Sequence, residues 1–148
     1  MVKVEFPNLF QVVRPELNAL ETYLQDDLQQ ARTGVREVVG HLLAGGGKRI
    51  RPALVFLAAR FGRSADPDQI MKVAAATEMI HMATLIHDDI LDEAILILDR
   101  HPLTAGDAIQ LATATLTRRL IPGLTDFLCF DQHLRTAASA EGFIPQPI

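Results

Sequence analysis

Apolar positions recur at helical intervals along most of the first hundred residues. In "RPELNALETYLQDDLQQA", residues 14–31, Leu17, Leu20, Leu24 and Leu28 fall on one stripe. Pro15 stands near the start, where a missing N–H costs least, so the pattern predicts an amphipathic helix. "VREVVGHLLAGGG", residues 35–47, reads as a second helix, ended by Gly45, Gly46 and Gly47, which reach left-handed backbone angles without strain. A third helix begins near Arg51 and Pro52 and runs through "ALVFLAARF" to a stop at Gly62. Asp66 and Pro67 then supply an N-cap and a proline at the first helical position of a long helix. That helix continues through "EMIHMATLIHDDILDEA", residues 78–94, whose apolar texture reads as buried.

After Ala94 the texture changes. "ILILDRHPLTAGDAIQLATATLTRRL" breaks at Pro102, and Thr104 with Asp107 three residues on forms a capping-box pattern that opens another helix. Pro122-Gly123 marks a turn, "DFLCF" a short buried strand, "DQHLRTAASAEG" a last helix closed by Gly142, and "FIPQPI" an extended tail. The expectation is a mainly α protein: an all-helical first part, residues 1–94, and a short helix–strand–helix segment, residues 95–148.

Composition narrows the function classes. A chain of 148 residues, 49% hydrophobic and 22% charged, is sufficient for one domain with a real core. Its net charge of -4 argues against general nucleic-acid binding, which requires an excess of Lys and Arg on one face. The single cysteine, Cys129 in "FLCF", cannot form an internal disulfide and reads as a buried thiol in a reducing compartment. Neither end shows a signal-peptide pattern, and no uncharged apolar run approaches the roughly 18 residues of a membrane span. The expectation is a cytoplasmic protein without stable membrane insertion.

Two constellations have chemical content. In "GGGKRIRP", residues 45–52, glycines that permit close backbone approach precede Lys48, Arg49 and Arg51, a set of cations suited to a diphosphate. This is not a P-loop, since Leu42 stands where the first glycine would be and Arg49 replaces the Ser or Thr. The plainer reading is a glycine C-cap followed by solvated charge. The second constellation is the aspartate stripe. On a helix, Asp88 and Asp92 share one face with His81, Thr84 and Leu85. Carboxylates four residues apart repel, and an apolar setting raises their cost, so the arrangement asks for a cation. Hard Mg²⁺ ions, which take one or two carboxylates plus phosphate oxygens, would meet that demand. The plainer reading here is an exposed acidic helix surface, and His81 is by type more often a satisfied core histidine than a ligand.

"GGGKRIRPALV" followed by "EMIHMATLIHDDILDEA" resembles the N-terminal region of trans-type polyprenyl diphosphate synthases, over about residues 1–94. The resemblance implies an isoprenoid-synthase-type helical bundle, here truncated. It implies that Lys48, Arg51 and His81 bind isopentenyl diphosphate. It also implies that Asp88 and Asp92, matching the DDxxD motif, bind Mg²⁺ and an allylic diphosphate, and that the protein is a homo-oligomer. Two departures stand out: "ILILDR" displaces Arg100 from the family's arginine pair, and the second aspartate-rich motif is missing. Residues 101–143 resemble the C-terminal portion of PIN-domain ribonucleases, with Asp107 and Asp131 at two acidic metal positions, although a capping box and an N-cap account for both. The two resemblances imply a mosaic or truncated chain: an incomplete polyprenyl diphosphate synthase with little or no prenyl transfer in isolation. The alternatives are a nuclease remnant and a non-catalytic helical oligomer.

Overall fold

The computed structural model describes residues 10–62 and 66–146. They form two compact units, residues Met1–Ala83 and Thr84–Ile148.

The first unit is helical. Helix α1 (Arg14–Gln30) follows the leucine stripe, with proline in its first turn. Leu20 and Leu24 are buried while Leu17 and Leu28 are half-buried, as an i, i+4 apolar stripe on a small bundle requires. Helix α2 (Thr33–Ala44) ends at the glycines, where Gly46 takes the left-handed angle with φ 59°. Helix α3 (Ile50–Ala59) starts one residue before the predicted Arg51 and ends before Gly62. Helix α4 (Pro67–Arg100) opens as the Asp66-Pro67 pair predicts, with an Asp66 carboxylate oxygen accepting from the Asp68 N–H at 3.0 Å. The core of this unit joins Val13, Leu20 and Leu24 to Ala53, Phe56, Ala74 and Ala75. Arg60 fastens the end of α3 to the start of α1 by donating to the Val12 carbonyl and the Glu16 carboxylate.

The second unit takes residues 84–100 of α4 and adds α5 (Ala105–Leu120), β1 (Asp126–Leu128), α6 (Gln132–Ala140) and β2 (Ile144–Gln146). Thr104 caps α5 and Asp131 caps α6, each side chain accepting from the backbone N–H three residues on. The expected tail pairs in parallel with β1, Asp126 against Ile144 and Leu128 against Gln146, and so becomes a strand. Pro147 and Ile148 lie outside the described residues. The "DFLCF" strand is shorter and less buried than predicted: Asp126 and Leu128 are exposed and Phe127 is half-buried. The core here is Ala94, Ile97, Leu111, Leu134, Phe143 and the alanines between them, together with Cys129, whose thiol burial pushes up. No helix among the described residues is long and apolar enough to cross a membrane.

Candidate functional site

The three cations of "GGGKRIRP" divide by direction. Lys48 and Arg51 are exposed, and neither forms an ion pair with a described residue. Arg49 turns inward, its side chain 8% exposed. Its Nε donates to Glu21 Oε1 at 2.6 Å and its Nη2 to Glu21 Oε2 at 3.3 Å, a forked pairing with α1. Its Nη1 donates to Glu78 Oε1 on α4 at 2.8 Å. The hydrogen bond to Glu21 holds the guanidinium above its ordinary value, against the burial that lowers it. Arg49 also has φ 45°, the left-handed region that a non-glycine residue enters only when its surroundings hold it there. Reading the motif as three equivalent cations therefore needs correction: two face solvent and one is structural.

Lys48 lines a cavity of about 550 Å³ in the first unit, together with Arg14, Asn18, Glu21, Gly47 and the apolar Leu17. His81 is half-buried on α4 and engages a neighbour.

The aspartate stretch is a helix, as predicted, but its surroundings are not a packed interior. Asp88, Asp89 and Asp92 are exposed, and Leu85 and Leu91 beside them are exposed as well. Asp88 and Asp92 stand one turn of α4 apart, roughly 5–6 Å between Cβ atoms, and neither is ion-paired to a described residue. Among the described residues no group of three or more His, Cys, Asp or Glu side chains could hold a metal by itself. The donor set nevertheless fits Mg²⁺, which completes its octahedron with water and phosphate oxygens around one or two carboxylates.

The buried carboxylates of α4 are others. Glu78 meets Arg49, and Glu93 meets Arg119 at 2.7 Å and Arg100 at 3.9 Å. Arg100 also donates to Glu141 at 3.0 Å, so its guanidinium is engaged within the second unit. Sequence reasoning passed over Glu78 and Glu93, although both fall in phase with buried positions of the same helix, Met82 in one case and Ile97 in the other. Asp107 and Asp131 are engaged locally: Asp107 accepts from the Thr104 hydroxyl at 2.6 Å, and Asp131 from the Leu134 N–H at 2.8 Å.

Residues 32–97, which hold both constellations, match the family model described as Polyprenyl synthetase, and the fold is mainly α, of the isoprenoid-synthase type. Among curated proteins, the chain is 42% identical over 107 residues to heptaprenyl diphosphate synthase component 2 of Geobacillus stearothermophilus, covering 72% of this chain and 33% of that one. It is 38% identical over 91 residues to heptaprenyl diphosphate synthase component 2 of Bacillus subtilis, covering 62% and 26%. It is 39% identical over 82 residues to nonaprenyl diphosphate synthase of Mycobacterium tuberculosis, covering 55% and 24%. The chain thus spans about a third or less of the length of these relatives. No solved structure matches.

Proposed function

We propose that this chain is an incomplete polyprenyl diphosphate synthase that retains diphosphate-binding groups. The observation that carries the reading is that the matched region holds exposed cations, Lys48 and Arg51, and exposed carboxylates, Asp88 and Asp92, none of them ion-paired among the described residues. Lys48 and Arg51, with His81, bind and orient isopentenyl diphosphate through its phosphate oxygens. Asp88 and Asp92 would hold Mg²⁺, which would supply charge neutralisation for an allylic diphosphate. Prenyl transfer by this chain alone is weak or absent, because substrate positioning and water exclusion depend on a larger enclosure. A homo-oligomer is part of the same reading.

The proposed division is a synthase-like region, residues 1–94, and a foreign segment, residues 95–148, in a mosaic. The parallel β1–α6–β2 arrangement supports the likeness of the second segment to a PIN-type C-terminal portion. That segment serves as packing rather than as a metal site, since Asp107 and Asp131 are committed to helix caps.

Calorimetry with a non-hydrolysable allylic diphosphate analogue, with and without Mg²⁺, tests the assignment. Asp88→Asn with Asp92→Asn should abolish the Mg²⁺-dependent heat, and Asp107→Asn with Asp131→Asn should leave it unchanged. The opposite pattern, or Mg²⁺-dependent RNA cleavage lost only in the second pair, would refute the reading.

A further inference from the structure

The carboxylate of Glu21 poses a problem for any anion bound beside Lys48. Glu21 lines the same cavity of about 550 Å³, together with Arg14 and Lys48. Its side chain is 39% exposed, so an unpaired Glu21 would present a negative charge to that cavity. Arg49 prevents this. Its forked bonds at 2.6 Å and 3.3 Å engage both carboxylate oxygens of Glu21, while its remaining arm is anchored on the nearly buried Glu78 at 2.8 Å. With Glu21 paired, the unpaired charges on the lining are those of Arg14 and Lys48, both positive. The same anchorage holds Arg49 at φ 45°, immediately after Lys48 in the chain.

We propose that Arg49 is a positioning residue for diphosphate binding: by pairing with Glu21 it keeps that carboxylate from repelling an anion held beside Lys48. The proposal rests on the reading of Lys48 as a diphosphate ligand and adds Arg49, which also lines the cavity but has its donors turned to Glu21 and Glu78 and so acts through Glu21. Arg49 cannot serve as a direct ligand of comparable weight, because three of its N–H donors are already committed and its side chain is 8% exposed.

The test is isopentenyl diphosphate binding by calorimetry on the full chain, with thermal unfolding measured alongside. Lys48→Ala should lose binding. Arg49→Met should weaken it by about tenfold or more, the scale of an uncompensated charge at a binding surface. Arg49→Met with Glu21→Gln should return affinity to within about threefold of the unsubstituted chain, since the offending charge is gone, although a melting temperature lowered by the loss of Arg49 need not recover. A purely structural role predicts instead that affinity follows melting temperature across the set. If Arg49→Met does not fold, Glu21→Gln alone decides: it should bind at least as tightly as the unsubstituted chain. Arg49→Met binding normally, no recovery in the double variant, or weakened binding in a well-folded Glu21→Gln would each overturn the role of Arg49 while leaving Lys48 as a ligand. An unsubstituted chain that binds no isopentenyl diphosphate, or Lys48→Ala that binds as well as it, would overturn both.

Discussion

Glu141→Gln should loosen the second unit by about 1–2 kcal/mol at neutral pH and remove an acid-sensitive part of its stability. Glu141 follows α6 and accepts at Oε1 from Arg100 Nε at 3.0 Å and from His101 Nε2 at 2.9 Å, fastening the end of α6 to the end of α4. The two arms differ in value. Arg100 is 44% exposed, so its arm is screened and contributes no more than a surface pair, roughly 0.5 kcal/mol. His101 and Glu141 are 17% and 18% exposed, and a hydrogen bond to a charged group in that setting contributes about 1.5 kcal/mol. The two arms together come to about 2 kcal/mol, and a carboxamide, which keeps one accepting oxygen, retains part of this, so the net loss falls at about 1–2 kcal/mol.

Burial pushes the Glu141 carboxyl up, but the hydrogen bonds from His101 and Arg100 outweigh it and hold the group below the ordinary value of 4.5. The folded protein therefore binds this proton less readily than the unfolded chain does. The stabilisation is complete above 4.5 and is lost as pH falls through the lower folded-state value. Hydrogen exchange of peptides from residues 132–143, followed by mass spectrometry from pH 7 downward, reads both effects. The variant should exchange roughly 5- to 30-fold faster at pH 7 and then show a flatter dependence below 4.5 than the unsubstituted chain, after correction for intrinsic rates. Equal exchange at pH 7, or parallel profiles below it, would refute the argument.

Leu111→Ala, at a fully buried position of α5, should cost about 3 kcal/mol, whereas Leu54→Ala, 60% exposed on α3, should stay within about 0.5 kcal/mol; urea titration followed by circular dichroism compares them, and similar costs would contradict the assigned core. The chain should self-associate, because Leu54, Ile80 and Ile95 leave apolar surface exposed on α3 and α4; light scattering during size exclusion that returns a monomer at micromolar concentration would disprove this.

Much of the helical architecture was legible because its signals are local. The Asp66-Pro67 start, the glycine stop after α2, the Thr104 cap and the Asp131 cap each depend on residues within four positions of one another. The strand β2 was not legible, because "IPQ" is extended in either reading and becomes a strand only through pairing with Asp126–Leu128, whose partners lie 18 residues away in register, Asp126 with Ile144 and Leu128 with Gln146. The inward turn of Arg49 was hidden for the same reason: its partners Glu21 and Glu78 are 28 and 29 residues distant.

The carboxylates of α4 show one rule with two outcomes along a single helix. A carboxylate on an apolar helix face needs a cation, and the aspartates were singled out on that ground because DDxxD stands out as a cluster. Phase along the helix separates two kinds of acid. Glu78 lies four residues after buried Ala74 and four before buried Met82, and Glu93 lies four before buried Ile97, so these two face the cores. Both are paired with arginines, Glu78 with the buried Arg49 and Glu93 with the more exposed Arg119. Asp88 and Asp92 lie off that stripe, are exposed, and receive no partner among the described residues. Cations of the chain itself thus answer the acids that folding buries. Asp88 and Asp92 are exposed instead, and solvent lowers the cost of charge that no described residue pairs.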